Sequence, residues 1–209
     1  MLVDLTVKEF LEKVAGNDPV PGGGSVSALN GAVASALAGM VAGLTIGKKG
    51  YEAHEELMKH ILDLSKERQE QFVLDVDRDS EAYNRVFDCF RLPKTTDEEK
   101  SARSAAIQEA TKQAAMIPMQ VARNAYELMN LIADVARLGN RNAVTDACVA
   151  MMGARSAVLG ALMNVRINLA SIKDKTFAAE LQTEADELER CACEREKELL
   201  EVVNQDLRV

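Results

Sequence analysis

Two aspartates four residues apart, Asp75 and Asp79, form an arrangement in this sequence that could do acid–base chemistry. On a helix they share one face, and adjacent carboxylates can push one pKa upward until the group exchanges protons near neutral pH. Arg68 and Arg78 are close in sequence, and such a pair is more typical of a solvated charged face. A further carboxylate, Asp146, is expected in the first turn of a later helix, where the helix dipole would stabilise it. Taken singly, none of these signals identifies a reaction.

Two asparagines, Asn164 and Asn168, are also four residues apart and therefore share a helix face. Their helix is apolar from Ala157 to Met163, so the sequence predicts that the two side-chain amides lie in the buried part of the helix. A buried amide without hydrogen-bond partners costs roughly 1–3 kcal/mol, so both side chains must meet polar groups. Those groups could belong to neighbouring helices that the asparagines tie together. They could also belong to a ligand with donor and acceptor edges, such as a heterocycle.

Three consecutive glycines, Gly22, Gly23 and Gly24, precede Ser25. Glycine is unfavourable inside a helix, so the sequence predicts a flexible turn here, with Ser25 as the N-cap of the helix that follows. A glycine-rich turn before a helix N-terminus can bind an anion, because free amides and the helix dipole point the same way. A loose loop that only connects two helices is the alternative interpretation.

Helical patterns dominate the chain, and no segment alternates convincingly as a strand would. Small residues recur every fourth position from Ser27 to Gly47, so backbone can approach backbone along a central helix. We predict an all-α fold: a single multi-helix bundle, one domain over 1–209, with long antiparallel helices and a buried small-residue helix. The predicted helices cover 6–16, 25–47, 51–92 as one or two, 96–139 with a kink or restart at Pro118, 145–173 and 176–206.

The last predicted helix is strongly charged and has only a sparse apolar stripe. A helix of this kind lies on the surface of its own chain or against a partner. The stripe consists of Leu181, Leu188, Leu199 and Val202.

Composition and charge argue against several classes of protein. A net charge of −8 disfavours a nucleic-acid binder or a protein of anionic membranes. The run from Val26 to Ile46 could cross a bilayer by length, but its Gly, Ser, Ala and Asn30 favour a buried helix.

The acidic N-terminus is not a signal peptide, and four cysteines without a zinc-type spacing indicate free thiols in the cytoplasm. His54 and His60 do not share a helix face, so no metal site is expected.

Four segments, taken together and in order, resemble the cyclodeaminase domain of formiminotransferase-cyclodeaminase and its stand-alone bacterial relatives, which include methenyltetrahydrofolate cyclohydrolases. The segments span most of the chain: 19–25 (PVPGGGS), 77–83 (DRDSEAY), 139–146 (GNRNAVTD) and 164–174 (NVRINLASIKD). The resemblance implies an all-helical homodimer that acts on a tetrahydrofolate derivative without a metal or other cofactor. It leaves open whether the substrate is the formimino or the methenyl form.

The implied chemistry needs a carboxylate that balances an amidinium charge and relays protons. On the resemblance, Asp79 is the first choice for this acid and base, and Asp146 the second. The amides of Asn140, Asn164 and Asn168 would hold the pterin or the reacting amide.

The other implied contacts are with the rest of the folate. Gly22, Gly23, Gly24 and Ser25 would lie against the ligand, and Lys48 or Lys173 could meet the carboxylates of a tail that could be polyglutamylated. The rival interpretation is a non-catalytic helical folate-binding or scaffold protein of the same fold. In such a protein the aspartates and asparagines would only stabilise the bundle.

Overall fold

The computed structural model describes residues 1–207, with side chains through Gln205, and every regular element in this part of the chain is helical. The all-α prediction is therefore confirmed. Three 3₁₀ turns lie at Leu2–Asp4, Glu52–His54 and Arg141–Ala143. The α-helices are α1 (Val7–Val14), α2 (Gly23–Gly43), α3 (Glu55–Phe90), α4 (Asp97–Leu138), α5 (Val144–Leu169) and α6 (Lys175–Leu207).

Capping boxes begin two of these helices. At α1 the Glu9 amide donates to Thr6 Oγ1 over 3.3 Å, and the Thr6 amide donates to the Glu9 carboxylate over 2.8 Å. The same reciprocal pair joins Thr96 and Glu99 at the start of α4. Each box satisfies backbone amides that a helix cannot bond internally, so the local sequence determines where these helices begin.

The start of α2 differs from the prediction. Gly22, and not Ser25, is the N-cap, and the first helical hydrogen bond runs from the Val26 amide to the Gly22 oxygen over 3.0 Å. Gly23 and Gly24 therefore lie inside the first turn. Glycine still loses more backbone entropy on folding than other residues in this turn, but it lets the backbone approach neighbouring groups closely. The helix also ends at Gly43, four residues before the predicted end at Gly47.

α2 packs against α3, α4 and α5 with its small residues facing them, which confirms the predicted central helix. A β-carbon on Gly31 would lie 2.8 Å from the Phe72 ring of α3. One on Gly160 of α5 would overlap the Ser27 hydroxyl. Because these backbones have no side chain between them and their neighbours, the relative positions of α2, α3 and α5 are tightly fixed.

The remaining helices form the predicted long hairpins. α3 is one helix, which was one of the two predicted alternatives. α4 continues through Pro118 without a break, so the restart that was predicted there as an alternative to a kink does not occur. The prediction for α6 needs correction at one position, because Val203 is buried and Val202 is 48% exposed. The buried side of α6 lies against α4 and α5, so its apolar stripe is already covered within the chain.

α2 and α5 are each long and apolar enough to cross a membrane by length and composition alone. In this structure 56% and 50% of their apolar windows are buried inside the protein. Their outward sides form a surface that we call the α2–α5 face. Its exposed apolar residues are Val33 and Met40 of α2, Leu44 directly after α2, and Val149, Met152, Met163 and Ile167 of α5.

Candidate active site

The beginning of α2, the later turns of α3 and the last turns of α5 enclose a cleft of about 350 Å³, which we call the inner cleft. Its volume is in the range typical of small-molecule sites. Both polar side chains and bare backbone line it: Pro19, Val20, Gly22, Gly23, Gly24, Asp79, Tyr83, Val86, Ala114, Asn164, Ile167 and Asn168.

Asp79 lies directly against the first turn of α2. A β-carbon on Gly24 would overlap its carboxylate, so only glycine leaves room for this approach. The Ser25 hydroxyl donates to Asp79 Oδ2 over 3.2 Å and lies 3.1 Å from the Ser80 hydroxyl. Ser25 therefore holds the carboxylate from inside the helix, a role that its predicted position as N-cap would not have allowed.

Burial raises the pKa of the Asp79 carboxyl above its ordinary value, and hydrogen bonds from the Ser25 hydroxyl and amide only partly oppose this effect. A carboxyl with a raised pKa can take and return a proton closer to neutral pH. The neighbouring Asp75 is not the cause. It is buried and accepts hydrogen bonds from Gln71 at 3.0 Å and Arg78 at 3.1 Å, both on its own helix. The two aspartates therefore do not form the coupled pair that their spacing suggested.

Asn164 and Asn168 line the inner cleft together with Asp79, as their shared helix face predicted. Asn164 donates to the Gly160 oxygen over 2.9 Å, and Asn168 donates to the oxygens of Ala114 and Asn164 over 3.2 and 2.9 Å. Neither side-chain oxygen accepts a hydrogen bond from the described part of the chain. Asn168 thus ties α5 to α4, whereas Asn164 bonds only within α5. Both keep an acceptor for a ligand, so the two interpretations of the sequence are compatible.

Three other candidates lie at the opposite end of the bundle. Nineteen residues of α2 separate Gly24 from Gly43, which is about 29 Å at 1.5 Å per residue. Beyond that end, Lys48 donates to Asn140 Oδ1, and Asn140 donates to the Leu44 oxygen over 3.3 Å. Asp146, in the first turn of α5, belongs to the same end. One chain alone therefore does not bring Lys48, Asn140 or Asp146 to the inner cleft.

Lys173 lies on the same end of α5 as the asparagines but does not line the inner cleft. Its amide donates to Gln108 Oε1 over 2.7 Å, and its ammonium donates to Ser104 Oγ over 3.1 Å, so it joins the end of α5 to α4. Among the described residues, no group of three or more His, Cys, Asp or Glu side chains could hold a metal ion.

Sequence reasoning assigned no role to two residues of this site. Tyr83 is half exposed and lines the inner cleft one helical turn after Asp79, so the four-residue spacing could have identified it. Ser80 contacts Ser25 across the α2–α3 interface, and no sequence pattern indicates that contact.

Comparison with known proteins gives one consistent result. The family model described as formiminotransferase-cyclodeaminase matches residues 6–187. The chain is 39% identical over 183 residues to a methenyltetrahydrofolate cyclohydrolase of Methylorubrum extorquens, covering 88% of each chain. The crystal structure of a formiminotetrahydrofolate cyclodeaminase from Thermotoga maritima has a TM-score of 0.89 and 31% identity, with complete coverage of both chains.

Longer relatives also match. The chain is 32% identical over 176 residues to the formimidoyltransferase-cyclodeaminase of Mus musculus, which covers 84% of this chain. The matched region is 32% of the mouse protein, so the chain spans about a third of the length of that relative.

Proposed function

Because this chain belongs to the formiminotransferase-cyclodeaminase family, we propose that it is a folate one-carbon enzyme that hydrolyses or forms methenyltetrahydrofolate. The corresponding activities are methenyltetrahydrofolate cyclohydrolase and formimidoyltetrahydrofolate cyclodeaminase. The observation that carries the proposal is the Asp79 carboxyl, which is half-buried against the first turn of α2, has a raised pKa and lines a cleft of suitable size together with two asparagines.

In the cyclohydrolase direction, a water oxygen bonds to the cationic methenyl carbon while Asp79 takes one of the water protons. The bond from that carbon to one folate nitrogen then breaks. Asp79 returns its proton to the leaving nitrogen, and the second water proton is released as the formyl carbonyl forms. Before the attack, the Asp79 carboxylate offsets the charge of the cation.

In the cyclodeaminase direction, a folate nitrogen bonds to the carbon of the protonated formimino group. Asp79 accepts the proton of the attacking nitrogen and passes it to the amino group. Ammonia then leaves as its bond to the carbon breaks, and the methenyl cation remains. Both reactions thus need one carboxyl that changes its protonation state beside a cationic carbon.

The asparagine oxygens at Asn164 and Asn168 suit the donor edge of a pterin, whose amino and ring N–H groups need acceptors. The bare backbone at Gly23 and Gly24 lets a flat ring approach the first turn of α2. No separate cofactor is required by this chemistry. The roles first assigned to Asp146, Asn140, Lys48 and Lys173 stay predictions.

We also propose that the protein is a cytoplasmic homodimer that uses the α2–α5 face, and that it binds neither membrane nor nucleic acid. α2 carries no charged residue. The arginines of α5 are directed away from this face, because Arg155 pairs with Glu196 and Arg166 pairs with Asp186 and Glu189 of α6. A long uncharged surface of this kind suits a second copy of the same chain.

The deciding experiment is absorbance spectroscopy of the purified protein with methenyltetrahydrofolate and formiminotetrahydrofolate side by side. Loss of the methenyl absorbance indicates cyclohydrolase activity, and its appearance with ammonia release indicates cyclodeaminase activity. If neither substrate reacts faster than in buffer but a folate analogue binds, the protein is the non-catalytic folate-binding protein of the alternative interpretation.

A further inference from the structure

A second depression continues from the inner cleft along α3 toward its C-terminus, and we call it the outer groove. Its volume is about 690 Å³, and it shares Pro19, Val20 and Tyr83 with the inner cleft. The rest of its lining comes from α1 with its following loop and from the last turns of α3: Lys13, Asp18, Asn84, Phe87, Asp88 and Arg91. The two depressions are therefore parts of one continuous surface.

Three side chains of α3 and that of its C-cap, Arg91, lead from one depression to the other at four-residue intervals: Asp79, Tyr83, Phe87 and Arg91. Residues four apart on a helix are neighbours on its surface. Tyr83 is 42% exposed and Phe87 is 49% exposed, which is unusual for adjacent aromatic residues that have a core available. The Arg91 guanidinium lies over the Phe87 ring, 4.7 Å from its centre.

The order of chemical groups along this row is a carboxyl, two aromatic rings and a cation. A reduced folate has its own groups in the matching order: the reacting carbon, a benzoyl ring and the carboxylates of glutamate. We propose that the outer groove binds the aminobenzoyl-glutamate part of the substrate, with Tyr83 and Phe87 against the ring and Arg91 on a glutamate carboxylate. This inference rests on the proposed function and adds the site of the substrate tail.

The length of the row suits this assignment. Eight residues separate Tyr83 from Arg91, so their backbone positions are about 12 Å apart along the helix. That span is comparable to a benzoyl ring followed by one amino acid. Lys13, in the last turn of α1, is a second cation at the same groove and could meet the other carboxylate of the glutamate.

Two carboxylates of the protein also lie in the outer groove, and one of them pairs with Arg91. Asp88 is 3.4 Å from Arg91, and Asp18 also lines the groove. A substrate carboxylate must compete with Asp88 for the guanidinium. Removing the Arg91 charge should therefore weaken tail binding, whereas removing the Asp88 charge should strengthen it. A purely structural role for this ion pair would make both changes act in the same direction.

The experiment compares two substrates that differ only in the tail: methenyltetrahydrofolate, which has the glutamate, and methenyltetrahydropteroate, which lacks it. For wild type we expect a lower KM with the glutamate. R91A should raise the KM for the glutamate-bearing substrate by about tenfold, the value of one charge-assisted contact, with little change in kcat. D88N should lower that KM, and neither variant should change the KM for methenyltetrahydropteroate.

R85A is the matched control, because Arg85 is on the same helix but lines a separate depression with Arg78. Its KM values should equal those of wild type. If wild type uses both substrates with equal KM, or if R91A affects both substrates equally, the outer groove does not bind the tail although the enzymatic activity stands. If the formimino counterparts are used instead, the same comparison is made with them. If wild type processes no folate of either form, the proposed function itself fails.

Discussion

Gly24 of α2 and Asp79 of α3 are in such close contact that a single β-carbon at position 24 would overlap the Asp79 carboxylate. The first turn of one helix thereby forms one wall of the space that holds the acidic group of another. The position of Asp79 depends on the absence of a side chain at residue 24.

The first prediction concerns this contact. G24A should displace Asp79 or the first turn of α2, lowering turnover strongly and the free energy of unfolding by about 1–3 kcal/mol. G43A is the control in the same helix, because a β-carbon there meets no atom within 4 Å. It should keep full activity and unfold with a free energy equal to that of wild type or higher by up to about 1 kcal/mol. Urea unfolding and turnover, measured on both variants, test the prediction; an active G24A protein would contradict it.

The second prediction is that the D79N substitution lowers turnover without lowering the free energy of unfolding. D79N keeps the volume and removes the charge, so it should lose most turnover. Burial raises the folded-state pKa of Asp79 above its ordinary value of 3.8, so folding favours the protonated form. As pH rises from that value through the folded pKa, the wild-type carboxyl makes an increasing unfavourable contribution to folding, which is complete above the folded pKa.

The stability of D79N relative to wild type should therefore rise across that pH window and be greatest near neutral pH. Chemical denaturation at several pH values, from below 3.8 to 7, measures this difference. If D79N loses stability relative to wild type as pH rises, Asp79 is stabilised as a carboxylate and the direction of its pKa shift is wrong.

Asn140 provides a third test. It is buried, and its side chain bonds the Leu44 oxygen, the Asn142 amide and the Lys48 ammonium at the end of the bundle away from the inner cleft. N140A leaves these groups without partners and should lower the free energy of unfolding by roughly 1–3 kcal/mol. Affinity for a folate analogue, titrated below the unfolding range, should change little. A large loss of affinity with normal stability would instead support the predicted substrate contact.

The fourth prediction concerns assembly. M40K places a charge on the α2–α5 face, where Met40 is 41% exposed. Light scattering at micromolar concentration should give a dimer for wild type and a monomer for the variant, because burying an unpaired lysine in an apolar interface is costly. V7K on α1, where Val7 is 79% exposed, should remain dimeric. A monomeric wild type would disprove the homodimer.

Local patterns in the sequence predicted much of this molecule. The capping boxes at Thr6 and Thr96 begin helices as expected, since their partners are only three residues away. The four-residue spacing of Asn164 and Asn168 placed both in one cleft for the same reason. In each case the physical cause lies within one turn of the helix.

Contacts between helices were not predictable in this way. Ser25 was expected to be an N-cap, but it lies inside the helix, where its hydroxyl donates to Asp79 and contacts the Ser80 hydroxyl of α3. Asn140 was grouped with Asn164 because both are asparagines in matching segments, yet the length of α2 separates them. Residue types do not reveal distances between helices.

The bare surface of α2 has a consequence for how this protein can change over evolution. Where Gly31 meets the Phe72 ring and Gly24 meets Asp79, every substitution adds atoms to occupied space, so a saturation-mutagenesis map should show few tolerated replacements there. The exposed rings of Tyr83 and Phe87 on α3 have open space beside them. New substrate preferences should therefore arise by replacements on α3, while the residues of α2 that line the site stay unchanged.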